Sequence, residues 1–78
     1  MHRQMRLHEL PRGERAVIYE INNEIGIKRR LNDLGFTVGT AVEKVGTSPL
    51  GDPSAYLVRG AVIALRDEDA SRIGVTAD

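Results

Sequence analysis

The sequence predicts a mainly β domain: a small, partly open barrel with one α-helix after the second strand and a short helix near the C-terminus. Three observations carry that reading. Turn residues recur roughly every 8–12 positions, the rhythm of a small all-β domain. Apolar residues alternate with period two over several short runs, and a clear helical period appears in one long segment. At 78 residues, 41% of them hydrophobic, the chain can fill one small core, and a sheet of this size avoids templating edge association most simply by curling toward closure.

The elements follow in order. "MRLHEL" (Met5–Leu10) is expected as the first strand, with Met5 and Leu7 on one side, and "PRGE" ends it. "ERAVIYEI" (Glu14–Ile21) is the second, with Ala16 and Ile18 inward and Val17 and Tyr19 outward. In "NNEIGIKRRLNDLGF", Ile27, Leu31 and Leu34 fall at i, i+4 and i+7, one stripe of a helix of about eleven residues. Asn22 or Asn23 can cap its start. Gly35 suits the left-handed position just past its end, and Phe36 can then touch Leu31, the contact of a Schellman ending.

"TVGT" turns the chain. "TAVEKVG" is a strand with Val42 inward, but Lys44 follows on the same face, so either a bulge re-phases the strand or Lys44 snorkels at the barrel rim. "SPLGDP" (Ser48–Pro53) must be a loop, because proline cannot donate to a ladder. "SAYLVRG" and "AVIALR" form a hairpin, with Gly60 and Ala61 as the expected two-residue turn. That register pairs Val58 with Ile63 and Tyr56 with Leu65 inward, and Leu57 with Ala64 and Arg59 with Val62 outward. "DEDASRI" is a short helix capped by Asp67, with Ala70 and Ile73 inward, and "GVTAD" is a last strand returning to the first. The whole of 1–78 reads as one domain.

Composition narrows the function. Eleven basic and eleven acidic residues cancel, which argues against charge-driven binding to nucleic acid or anionic lipid. There is no cysteine, so disulfides and thiolate chemistry are excluded, in keeping with a reducing compartment. The basic start has no apolar run behind it and is not expected to be a secretory signal. No segment approaches the roughly twenty apolar residues of a membrane-spanning helix. No phosphate-binding loop, dinucleotide fingerprint or nucleophile elbow occurs, so no enzyme is expected.

His2, His8 and Glu9 could offer nitrogen and oxygen ligands, but no spacing orients two rings at one ion, and no metal or cofactor is expected. Lys28–Arg30 is the one basic run and reads as a solvated helix face, since only Tyr19, Phe36 and Tyr56 could stack on bases. The outward residues of the hairpin say more. Leu57, Val62 and Ala64, with Tyr19 and Val17 beside them, form a candidate partner-binding surface unless a helix covers that face.

The segments "RRLNDLGFTVGTAVEKV" and "PLGDPSAYLVRGAVIALRDEDASRIGV" resemble the FeoA family, small cytosolic partners of the bacterial ferrous-iron transporter FeoB. The resemblance runs from about Leu7 to Val75. It is most specific at Arg30-Leu31 with Leu34-Gly35, at Gly39, in the loop Pro49-Leu50-Gly51-Asp52-Pro53, and from Gly60 through Ala64-Leu65-Arg66 to Ala70 and Ile73. It implies an SH3-like barrel in which the loop motif is structural. Pro49 and Pro53 stiffen the loop, Gly51 permits its reversal, and Asp52 can accept bonds from nearby backbone N–H groups. Two positions depart from the family pattern: Val38 stands where proline is usual, and Lys44 where an apolar residue is usual.

The resemblance implies a non-enzymatic cytoplasmic accessory of ferrous-iron uptake that binds the cytoplasmic part of FeoB and meets the membrane only through it. Its oligomeric state is left open. The rival readings are a free-standing regulatory domain like the C-terminal domain of iron-dependent repressors, a nucleic-acid-binding small barrel, and direct iron binding by His2, His8 and carboxylates.

Overall fold

A computed structural model describes residues 2–77. Six strands form one antiparallel, curved and unclosed sheet in the order β1-β6-β2-β3-β4-β5. They are β1 (Arg3–Arg6), β2 (Arg15–Ile21), β3 (Ala41–Thr47), β4 (Ser54–Val58), β5 (Ala61–Leu65) and β6 (Ile73–Ala77); helix α1 spans Ile25–Asp33 and α2 spans Asp67–Ala70. The mainly β architecture, the helix after the second strand and the short helix before the last strand match the sequence reading.

The first strand starts and stops earlier than expected. β1 ends at Arg6, and Leu7–Glu9 form a 3-10 turn. The Leu10 N–H donates to the Leu7 carbonyl at 3.1 Å, and Glu9 Oε1 accepts from the Arg6 N–H at 2.8 Å. This tighter turn drives both Leu7 and Leu10 into the core, which a continuous strand of that register would not do.

In β2, Ala16 and Ile18 are buried while Val17 and Tyr19 face out, as alternation predicts. A register shift between Ile18 and Glu20 bulges the strand at Tyr19. Helix α1 begins late, at Ile25, after an Asx turn in which Asn22 Oδ1 accepts from the Glu24 N–H at 2.7 Å. It ends as the sequence reading has it. Gly35 adopts φ +108°, the Phe36 N–H reaches the Leu31 carbonyl at 3.0 Å, and the Gly35 N–H reaches that of Asn32 at 3.0 Å. Leu34, expected inward, is exposed: it is the residue at which the helix terminates, so it has left the stripe that Leu31 buries.

Of the two readings of Lys44, the bulge holds and the snorkelling does not, because the side chain is buried. A register shift between Lys44 and Gly46 bulges β3 at Val45, and Lys44 points inward, 9% exposed. The six residues Ser48–Pro53 are the connection from β3 to β4, and their Asp52–Pro53 peptide is cis.

The β4–β5 hairpin differs in its turn. Arg59 and Gly60 are the central residues, both at positive φ (51° and 80°), and the ladder pairs Val58 with Ala61, Leu57 with Val62 and Tyr56 with Ile63. This is the two-residue I′ pattern. The expected register is therefore displaced by two residues. A displacement of two preserves which face each side chain occupies, so Tyr56, Val58 and Leu65 remain buried although their partners change. The expectation failed because it denied Arg59 a left-handed conformation.

The core joins both ends of the chain to its middle. Ile18, Leu31, Phe36, Tyr56, Ile73 and Val75 are fully buried within one cluster. Phe36 and Tyr56 meet edge to face, centroids 6.3 Å apart at 84°.

Candidate functional site

The outer side of the sheet carries the candidate surface, and strand register sets its layout. Arg15 pairs with Glu43, Glu43 with Leu57 and Leu57 with Val62. These four side chains make one row across β2, β3, β4 and β5. Leu57 is 37% exposed and Val62 63% exposed, adjacent across the hairpin. Ala64 is also exposed and lies opposite Ala55. No helix among the described residues covers them, so the alternative of a covered face does not hold for them.

A shallow hollow of about 380 Å³ opens beside this row, walled by Arg15, Glu43, Leu57 and Arg59. A second, of about 480 Å³, continues toward β6 and is walled by His2, Val17 and Thr76, with Arg15 and Ala41 common to both. The face is thus an apolar strip at Leu57 and Val62, a charged middle at Arg15 and Glu43, and a second apolar part at Val17 and Ala41. Sequence reasoning missed Arg15 and Glu43. Period-two alternation from Ala16 and Val42, both inward, would have placed them outward.

Tyr19 does not join Leu57, which corrects the expectation that they share one patch. It lies four residues along β2 from Arg15, roughly 13 Å at the rise of a strand, and two strands away from Leu57. Its ring instead covers Gly74 of β6: a Cβ at Gly74 would come within 2.9 Å of Tyr19 Cζ. Tyr19 is 36% exposed, so one face of the ring packs against backbone while the rest meets solvent.

The loop motif is tied down from both sides. The Ser48 N–H donates to the Pro53 carbonyl at 3.0 Å and the Gly51 N–H to the Ser48 carbonyl at 2.8 Å. Asp52 Oδ1 accepts from the Asp67 N–H at 3.0 Å, so the first N–H of α2 is capped by this loop and not by Asp67, which is itself the first helical residue. Pro49 and Pro53 bound a fixed loop whose tip residue, Leu50, is 94% exposed.

The basic run divides. Arg30 forms an ion pair with Asp69, joining α1 to α2. Lys28 and Arg29 line a hollow of about 250 Å³ with Ile25 and Asn32 on the solvent side of α1. The potential metal ligands are dispersed as well. His2 is exposed ahead of β1, His8 sits in the 3-10 turn, and Glu9 is engaged with the Arg6 N–H. Among the described residues no three His, Asp or Glu side chains converge as an ion would require. No helix among them is long and apolar enough to cross a membrane.

The strongest perturbation of a titratable group lies inside the barrel. Burial pushes the Tyr56 phenol up to about 12; the Ser54 hydroxyl tempers the rise, and the Asp67 and Asp52 carboxylates add to it. The phenol is held neutral, and the buried Tyr56 hydroxyl makes no hydrogen bond of normal geometry.

Comparison with known proteins gives a consistent answer. A Porphyromonas gingivalis protein described as a fusion of Fe(2+) transport protein A with the Fe(2+) transporter FeoB is 37% identical over 71 residues, which are 91% of this chain and 8% of that protein. The solution structure of a Chlorobium tepidum FeoA protein superposes with a TM-score of 0.85 at 34% identity, over 94% of this chain and 70% of that one. The crystal structure of Stenotrophomonas maltophilia FeoA complexed with zinc, described as an SH3 domain protein, superposes with a TM-score of 0.79 at 36% identity, over 91% and 88% of the two chains. A manganese-dependent transcriptional repressor shares the fold alone, at 13% identity and a TM-score of 0.85. The family model of the FeoA domain matches residues 5–77, and with its SH3-like fold the chain belongs to the FeoA family.

Proposed function

We propose that this chain is a non-enzymatic accessory of ferrous-iron uptake, acting in the cytoplasm on the cytoplasmic part of a FeoB-type transporter. The observation that carries the reading is the fusion relative, in which a region 37% identical to this chain is covalently joined to FeoB. Fusion makes association intramolecular, and it is tolerated where two parts already work side by side. Likeness to a repressor at 13% identity supports the fold and no regulatory role.

The binding surface we assign is the outer hairpin strip of Leu57, Val62 and Ala64, without Tyr19. Leu57 and Val62 are exposed, adjacent and flanked by Arg15 and Glu43, the pattern of an apolar anchor with a polar rim. The experiment is binding of the purified chain to detergent-solubilised FeoB from the same organism, wild type beside Leu57→Asp. Wild-type binding with a loss of about tenfold or more in the variant is expected. Equal binding by both would move the site elsewhere, first to the Lys28–Arg29 side of α1. No binding by the wild type would refute the partner.

A further inference from the structure

The two edges of the sheet are built differently. β1 bears Arg3 and Arg6, charges of the kind that discourage strand pairing. β5 reads Ala-Val-Ile-Ala-Leu, without charge, proline or bulge, and among the described residues it pairs with β4 alone. Its free edge therefore presents a regular row of backbone N–H and C=O groups between apolar side chains.

Ladder parity shows which groups those are. The closing pair of a two-residue hairpin, here Val58 and Ala61, is hydrogen-bonded, and alternation makes Tyr56–Ile63 and Ser54–Leu65 the next bonded pairs. Ala61, Ile63 and Leu65 thus direct their N–H and C=O groups to β4. Val62 and Ala64 direct theirs away from the sheet. Among the described residues no turn or loop backbone hydrogen bond uses Val62 or Ala64, and both residues are exposed.

We propose that β5 is a self-association edge: two copies of this chain pair β5 against β5, antiparallel, about a two-fold axis at Ile63. The strand is its own complement in that register. Val62 of one copy meets Ala64 of the second copy, and each such pair exchanges both of its outward bonds. Ile63 faces Ile63 in the intervening non-bonded position. Ala61 meets Leu65, and Arg66 meets Gly60, so no like charges oppose each other along the paired segment. The zero net charge of the chain adds no long-range repulsion between copies. A two-fold axis makes the contact isologous and closes the assembly at a dimer. The occupant we assign is a second copy and not a strand of another protein, because these complementarities are properties of β5 alone. The inference is independent of the transporter reading: Val62 and Ala64 pair through backbone groups, and their side chains stay on the outer face.

Sedimentation equilibrium of the full chain over a wide concentration range tests it, beside Ala64→Pro and Val62→Lys. Proline at Ala64 removes only an N–H aimed at the free edge, a position that tolerates it. The wild type is expected to approach twice the monomer mass at high concentration. Ala64→Pro is expected to stay monomeric with an unchanged far-ultraviolet dichroism spectrum, and the Val62 and Ala64 amides should slow in hydrogen exchange only as wild-type concentration rises. A wild type that is monomeric throughout overturns the proposal, as does a dimer that persists in Ala64→Pro. If Ala64→Pro fails to fold, Val62→Lys decides in the same way. Edge amides that are protected only when FeoB is added to a monomeric chain would assign the edge to the transporter instead.

Discussion

The Lys44 ammonium donates to the His8 carbonyl at 2.9 Å while standing 5.9 Å from the centroid of the Tyr56 ring. One cation thus bridges the 3-10 turn and the barrel interior from a residue that the family resemblance would make apolar. Two effects compete there. The stem buries methylene groups beside Tyr56, which stabilises; the charged head loses hydration, which costs free energy that one carbonyl and one ring face partly offset. Lys44→Met keeps the stem and removes the charge, at the cost of leaving the His8 carbonyl unpaired. We expect it to change stability by less than about 1 kcal/mol, whereas Lys44→Ala should cost about 2 kcal/mol through lost packing. Urea unfolding midpoints check this. Equal losses in both variants would mean that the hydrogen bond, and not the stem, dominates.

Lys44 also marks where the sequence could be read and where it could not. Its position on an inward face was legible from alternation with Val42; the carbonyl it reaches was not, because His8 lies thirty-six residues away in a segment read as strand. Local signals served well where the structure is local. The Gly35 ending of α1 with Leu31 and Phe36, the inward set of β2 and the bounds of the SPLGDP loop all follow from spacing within a few residues. The errors arose where tertiary contacts choose among local options. Leu10 needs burial, so the chain tightens into a 3-10 turn, and Arg59 accepts a left-handed conformation so that the hairpin can close on Val58 and Ala61. The candidate surface shows the same division. Alternation identified Leu57, Val62 and Ala64 as outward, but only the bulge at Tyr19 and the register across four strands separate Tyr19 from them.

Asp52 is expected to act as a cap supplied from a distance. Its carboxylate satisfies the Asp67 N–H at the start of α2, a helix whose first turn already holds Asp67, Glu68 and Asp69. Asp52→Ala should cost about 1 kcal/mol, the usual worth of an N-cap side chain. Asp52→Asn keeps an acceptor and lowers the local negative charge, so it should cost less. Thermal unfolding gives the ranking, and amide exchange at Asp67 gives the location. Faster exchange at Asp67 in Asp52→Ala than in Asp52→Asn is expected; unchanged exchange in both would mean that the cap is dispensable.

Tyr56 predicts a signature at alkaline pH. Its phenol is raised from 10.0 to about 12 in the folded chain, chiefly by burial. Below the unfolded value both states hold the proton, and this residue adds no pH dependence. Between pH 10 and about 12 the unfolded chain loses the proton while the folded chain retains it, so stability falls as pH rises through that window. At about 1.4 kcal/mol per unit, the loss is roughly 2–3 kcal/mol at most. Comparing urea midpoints of Tyr19→Phe with those of Tyr19→Phe/Tyr56→Phe isolates the effect, with tyrosinate absorbance reporting on the remaining phenol. The fall should vanish in the double variant; a fall of the same size in both would assign it to other groups.

The packing of Tyr19 over Gly74 makes a prediction with a change of sign. A Cβ at Gly74 would lie 2.9 Å from Tyr19 Cζ and 3.1 Å from its hydroxyl oxygen, so Gly74→Ala must displace the ring. Because Tyr19 is 36% exposed, the ring has room to swing outward, and the expected cost is about 1–2 kcal/mol, not global unfolding. In a Tyr19→Ala background the obstacle is gone, and alanine restricts the unfolded chain more than glycine does. There Gly74→Ala should be neutral or stabilising by about 0.5 kcal/mol. The double-mutant cycle measures the coupling directly. A cost that persists without the ring would place the strain in the β6 backbone and leave Tyr19 free for a partner. A cost that disappears would show that Tyr19 works first as the cover of Gly74, and Gly74→Ala would then turn the displaced ring toward solvent with the Leu57–Val62 strip unchanged.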